Sequence, residues 1–184
     1  MKAHPARFLG ILALLCGTAG CGWHAGLALP EGARRVGVEI FETHREVLER
    51  GLEPLLCDEI SRAVTDWIGA PLESPSRADL LVRGRILEYR RRPGIRNSEN
   101  QLVETGLYFA AAAELVDRRS GRIVVPTKEA HVWSGYSTEV SLANEQAARA
   151  RALRHVADSL VLELFRPTPR NDAPETPADV SESK

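Results

Sequence analysis

The folded part of this chain has no second cysteine with which to form a disulfide. Of its three cysteines, Cys16 and Cys21 belong to an N-terminal targeting segment, which leaves Cys57 alone. The fold must therefore hold through an apolar core. Long hydrophobic runs are missing as well. The N-terminal run, Phe8 to Cys16, has nine residues, whereas a helix crossing a bilayer core needs ~20. No later segment is longer, so the chain reads as tethered and not embedded. Charge of one sign is also absent: 24 basic against 25 acidic side chains give net −1. That balance excludes bulk attraction to nucleic acid or to an acidic surface. Finally, there is no Gly-x-Ser-x-Gly, His-Glu-x-x-His, Cys-x-x-Cys or glycine-rich phosphate loop. The expectation is a protein with no catalytic step, no cofactor and no metal.

What is present begins at the N-terminus. Lys2 and Arg7 precede the apolar run, and Thr18-Ala19-Gly20 leads into Cys21. A basic start, a short apolar centre and a small-residue exit make a cleaved secretory signal. A cysteine just after the cut resembles a bacterial lipoprotein signal, in which Cys21 is acylated and becomes the mature N-terminus. The alternative is an ordinary signal ending near a cysteine. The expected division is a signal peptide over 1–20, a folded domain over 21–165 and a tail over 166–184. The tail carries four prolines and no aromatic residue, so it cannot bury enough apolar area to offset its ordering entropy.

Between these ends the apolar period alternates. Val36, Val38 and Ile40 share one face of a strand. Leu52, Leu55, Leu56, Ile60, Val64, Trp67 and Ile68 form a helical stripe that stops at Gly69-Ala70-Pro71. Leu80 to Arg91 is strand-like, with a parity shift between Ile86 and Leu87 that predicts a bulge or two buried faces. Leu107, Phe109, Ala111, Ala113 and Leu115 line one face of a further strand, although its alanine run also permits a helix. A turn over Arg118 to Arg122, with Gly121 available for positive φ, leads to a strand over Ile123 to Tyr136. Pro126 inside that strand requires an edge or a bulge. Asn144 is placed to cap a last helix with the stripe Leu153, Val156, Ala157, Leu160, Val161 and Leu164. The predicted fold is α/β (α+β): order β-α-β-β-β-α, two helices on one face of a four-stranded mixed sheet.

Several segments resemble one known family in order and spacing. They are Cys21-Gly22-Trp23-His24, the strand Val36 to Phe41, and Gly51-Leu52-Glu53-Pro54-Leu55-Leu56. Asp79 to Tyr89, Leu115 to Arg118 with Ser120-Gly121-Arg122, and Asn144-Glu145-Gln146-Ala147 follow. Together they resemble the LptE family of lipopolysaccharide-assembly lipoproteins. The resemblance implies an outer-membrane protein, lipid-anchored at the periplasmic face. It implies a large β-barrel partner of the LptD type, and a role as plug and assembly factor in delivering lipopolysaccharide to the outer leaflet. A free-standing outer-membrane lipoprotein that binds another periplasmic or secretion partner is the alternative.

Individual polar residues point less sharply. Cys57 with His131 or His155 has the residue types of a thiol–imidazole pair, but Cys57 lies on the flank of an amphipathic helix, where a small soft side chain packs. His24, His44, His131 and His155 show no paired metal spacing. Asp58, Glu59 and Asp66 fall on the polar side of the same helix. Arginine is the strongest feature. Arg83, Arg85, Arg90, Arg91, Arg92 and Arg96 lie within 14 residues, and guanidinium forks match phosphate. Arg90, Arg91, Arg92 and Arg96, at a strand end entering a loop, are the candidate lipopolysaccharide site. A solvated edge is the alternative, since arginine is this chain's default base: 21 Arg to three Lys. Spacing makes Trp67 a core residue and sets Trp23 beside the lipid, against a membrane interface or a barrel wall.

Overall fold

A computed structural model describes residues 27–138 and 141–167. The signal segment, Cys21, Trp23, His24 and the tail beyond Pro167 lie outside the described residues. The elements run β1 (Val36–Val38), β2 (Glu42–Thr43), α1 (Leu52–Ala63), β3 (Leu80–Arg96), β4 (Leu102–Asp117), β5 (Ile123–Ser137) and α2 (Ser141–Leu164). The sheet order is β1-β3-β4-β5, and β2 continues the β1 edge farther along β3. The first two segments pair with β3 in parallel, whereas β3, β4 and β5 are antiparallel. The mixed α+β architecture expected from periodicity is the one found.

Both helices cover one face of the sheet. Leu52, Leu56 and Ile60 of α1 meet Val156, Leu160, Val161 and Leu164 of α2 above Ile86, Phe109 and Leu115, all fully or almost fully buried. Each such side chain contributes about 1.5–3 kcal/mol on leaving water. Arg62 ties the two helices at their polar flank, with Asp158 at 2.7 Å and Glu59 at 2.8 Å. Those hydrogen bonds, Glu59 foremost, raise its pKa above the ordinary arginine value.

Three residues placed on the apolar stripes lie outside the core. Ile40 is 69% exposed and Phe41 is buried instead. The cause is register: Val38 sits opposite Val82 but Glu42 sits opposite Arg85, so the edge strand carries one residue too many and its parity flips. Phe41 then packs over Gly84, where a Cβ would lie 2.3 Å from the ring. Trp67 is 46% exposed and donates from Nε1 to Asp158 at 3.0 Å. From Val64 to Ile68 the helix winds as a π-turn, which rotates later side chains off the α-helical stripe. Leu55 also stands outside the core, at 40% exposure.

The expected bulge, edge irregularity and turn along the sheet are found. Ile86 pairs with Ala111 and Glu88 with Ala110, so Leu87 is the extra residue of a bulge. β5 is an edge strand, and its register slips between Val125 and Lys128, where Pro126 sits. Gly121 takes φ +68° in the β4–β5 turn. Helix α2 begins at Ser141, so Asn144 is not its cap. Its side-chain amide donates to the Ser137 carbonyl instead. Strand β3 also does not end at Arg91 but continues to Arg96. Its 17 residues extend about 50 Å at ~3.3 Å per residue.

Candidate functional site

Among the described residues, the sheet face away from the helices is covered at one end. There Ala78 of the loop before β3 closes over Leu81 and Val116. Beyond that small core the face is open, and its composition follows from strand alternation. The Leu87 bulge sets Tyr89 toward the helices and Glu88, Arg90 and Arg92 outward, level with Ala110, Tyr108 and Gly106 of β4. Their β5 partners are His131, Trp133 and Gly135.

These side chains form a stack. The Arg92 guanidinium lies 5.2 Å from the Tyr108 ring centre and 5.9 Å from that of Trp133. Arg90 lies 5.2 Å from the Tyr108 ring centre, and the His131 ring centre lies 5.9 Å from it. Trp133 rests across the bare backbone of Gly106, where a Cβ would meet its Cζ2 at 2.3 Å. Arg90 is neutralised by Glu88 at 2.5 Å. Arg92 is held by rings, and its carbonyl accepts from Thr105 Oγ1 at 2.7 Å.

Below the stack the floor is alanine. Ala110 and Ala112 face outward and are almost fully buried between longer neighbours. A cleft of about 590 Å³ is bordered by Leu87, Glu88, Arg90, Tyr108, Ala110 and His131, and a second one of about 220 Å³ lies farther along the strands at Arg83, Arg85 and Ala112. Arg83 is engaged by Glu39 at 2.9 Å. The result is a trough flanked by guanidinium and aromatic groups. Such a surface suits an elongated amphiphile whose polar end carries phosphate and sugar.

The four arginines read as one cluster do not share one face. Arg90 and Arg92 are in the stack. Arg91 has the opposite parity and binds Glu145 of α2, with Nε at 2.9 Å. That hydrogen bond raises its pKa above the usual range. Glu145 also accepts from the Tyr136 hydroxyl at 3.3 Å, so Arg91 fastens α2 to the sheet. Arg96 is at the β3–β4 tip, donating to the Asn100 carbonyl at 2.7 Å. Tyr108, Gly106 and His131 join the arginines on this face only through strand pairing. Their signal was parity: Gly106 and Tyr108 alternate with the buried Leu107 and Phe109.

Cys57 donates to the Glu39 carbonyl at 3.4 Å, and burial pushes its pKa up. It lies on the helix side of the sheet, whereas His131 faces outward and His155 is exposed on α2. No group of three or more metal-ligating side chains occurs among the described residues. No helix among the described residues is long and apolar enough to cross a membrane.

Neither a family model nor a curated protein matches this sequence. Solved structures do. The PelC dodecamer from Paraburkholderia phytofirmans is similar over 76% of this chain and 94% of its own, at 12% identity and TM-score 0.51. Protein XCC0632 from Xanthomonas campestris, of the DUF330 family, is similar over 72% of this chain and 83% of its own, at 17% identity and TM-score 0.54. A putative lipoprotein from Caulobacter crescentus covers 68% of this chain and 87% of its own, at 19% identity and TM-score 0.46. At these identities the first two likenesses establish a shared fold.

Proposed function

We propose that this chain is an outer-membrane lipoprotein, anchored through Cys21 at the periplasmic face, that partners an LptD-type β-barrel as plug and assembly factor for lipopolysaccharide. It is a binding module with no chemical step. The observation that carries the reading is the open trough, in which Arg90 and Arg92 are stacked with Tyr108 and Trp133 above a floor of alanine. The stack offers cations to phosphate and ring faces to sugar, and the order of sequence segments resembling LptE supplies the partner.

The test has two arms. Native lipidated protein, purified from outer membranes, is expected to bring down a large barrel identified by mass spectrometry. Arg90→Glu with Arg92→Glu is expected to weaken binding of purified lipopolysaccharide at least tenfold, since charge-assisted hydrogen bonds contribute about 1.5–3 kcal/mol each. Absence of a barrel would remove the partner, and equal affinities would remove the lipopolysaccharide site.

One observation favours a second reading, a lipoprotein serving a secretion partner: the fold is shared with PelC, which forms a dodecamer. The mass of the purified lipidated protein in detergent distinguishes the two. A single copy with a barrel supports the first, and an assembly of many copies the second.

A further inference from the structure

The end of the molecule opposite the β3–β4 tip is built from arginine. The β4–β5 turn carries Arg118, Arg119 and Arg122, all exposed. Beside it the turn at Pro30 to Ala33 shares a cleft of about 330 Å³ with Arg119, Arg122, Asp79 and Asp117. Exposed Arg34 and half-buried Arg35 follow directly. Arg77 and Glu73, paired at 2.8 Å, add one charge of each sign beside Arg35; three further carboxylates accompany the five arginines, and two of them are already engaged. Asp79 accepts from the Arg34 and Arg35 backbone amides at 3.2 and 3.1 Å and from the Arg35 guanidinium at 3.1 Å. Asp117 accepts from the Ser120 amide and hydroxyl at 2.7 and 2.9 Å. Glu31 is the third. Arg118 donates to the Ala78 carbonyl at 2.6 Å. Among the described residues no ion pair engages Arg34, Arg119 or Arg122. Ile123, next to Arg122, is 53% exposed.

We infer that this pole is a docking surface for anionic phospholipid headgroups of the leaflet that holds the anchor. The inference rests on the lipid-anchor reading for position and on the pole's own charge for chemistry. Six residue steps separate Cys21 from Leu27, a reach of at most ~20–22 Å. An acylated Cys21 therefore keeps the Pro30–Ala33 turn and its arginine neighbours within a short distance of the headgroups. A net positive local surface there adds a second membrane signal to the acyl chains. The chain's overall balance gives no such attraction, so the effect belongs to the pole. Seated in this way, the strands lead away from the bilayer. Tyr108 is nine residues along β4 from Asp117, about 30 Å at ~3.3 Å per residue.

The experiment uses the full chain in a Cys21→Ala background, so that acylation does not dominate partition. Three proteins are compared: this parent, one with Arg34, Arg119 and Arg122 changed to Gln, and one with Arg45, Arg50 and Arg151 changed to Gln. The second triple removes equal charge far from the pole. Each is sedimented with phosphatidylcholine vesicles and with vesicles of phosphatidylcholine and phosphatidylglycerol in equal parts. Circular dichroism confirms folding. The ratio of the two partitions cancels any apolar binding by the retained signal. The parent is expected to prefer anionic vesicles, with the preference abolished at high salt. The pole variant is expected to lose about a hundredfold, roughly fivefold per arginine, and the control triple little. Equal preference in parent and pole variant, or equal losses in both triples, overturns the proposal. Mass analysis of Cys21 in the unmodified protein judges the anchor separately: a missing acyl mass ends that reading, and the vesicle ratio still decides the pole.

Discussion

Gly106→Ala is the sharpest probe of the open face. The new Cβ would fall 2.3 Å from Cζ2 and 2.7 Å from Cε2 and Cη2 of Trp133. Ordinary carbon contacts are about 3.5–4.0 Å, so the indole has to move outward by at least ~1.2 Å. It has room, being 46% exposed, and strand β4 itself need not shift. Leaving the glycine uncovers part of the ring and removes Trp133 from Arg92, now 5.9 Å apart. If roughly 100 Å² of ring is re-exposed, the transfer cost is about 2.5 kcal/mol. The lost cation–π contact adds about 0.5–1 kcal/mol. Partial reseating of the ring lowers the total, so a loss of about 1–3 kcal/mol is expected in denaturant melts. Tryptophan emission should shift to longer wavelength, and the shift should vanish when Trp133→Phe is added, because it arises at Trp133. An alanine variant with unchanged emission and unchanged stability would refute the claim that Trp133 is seated on Gly106.

Leu56→Ala and Leu160→Ala each delete a fully buried side chain at the helix–sheet contact, so thermal or denaturant melts should show losses of about 2–5 kcal/mol. Gly94→Ala should be more disruptive than its exposed neighbours suggest: its Cβ would lie 1.4 Å from the Glu104 carbonyl oxygen, and hydrogen exchange should report opening of the far half of the β3–β4 hairpin. Asp79 gives a pH signature. Hydrogen bonding to Arg35, with the backbone amides, holds its pKa at about 2, below the ~3.9 of an unfolded aspartate. The unfolded state therefore binds more protons between these values. The stabilisation is fully present above pH ~4 and lost as pH falls toward ~2. Asp79→Asn should flatten that part of the stability–pH curve, and a parallel curve would contradict the assignment.

Periodicity made most of the architecture legible. The α2 stripe, the alternating face of β4, the bulge after Ile86, the Pro126 irregularity and the Gly121 turn are all local consequences of residue type, and all are found. What failed depends on partners. Whether Ile40 or Phe41 points inward is decided by how β1 and β2 register on β3, which no single segment encodes. The π-turn that exposes Trp67 likewise does not appear in a pattern read at one fixed period. At the candidate site the arginine run was visible but its division was not. Arginines adjacent along a strand face opposite ways, so Arg91 went to Glu145 while Arg90 and Arg92 went to the rings. Trp133 and Tyr108 meet only because β4 and β5 pair with one another in that register.

The alanine run of β4 connects the fold to its surface. Ala111 and Ala113 face the helices and are buried beneath them, which lets α2 approach the sheet closely. Ala110 and Ala112 face the other way and form the floor of the trough. One small-residue segment therefore thins the sheet on both sides: packing benefits on one face, and a concave surface opens on the other. Larger side chains at 110 and 112 would fill the trough without touching the core. Larger ones at 111 and 113 would lift α2, and with it the Glu145 contact that fastens Arg91. Tolerance to substitution at these four positions should thus alternate with period two, with outward changes altering ligand affinity at constant stability and inward changes lowering stability by about 1–3 kcal/mol through overpacking. Melting curves and lipopolysaccharide binding measured on Ala110→Val, Ala111→Val, Ala112→Val and Ala113→Val would test this directly. Uniform losses of stability across all four would mean that the outward face of β4 is packed core and not a binding surface.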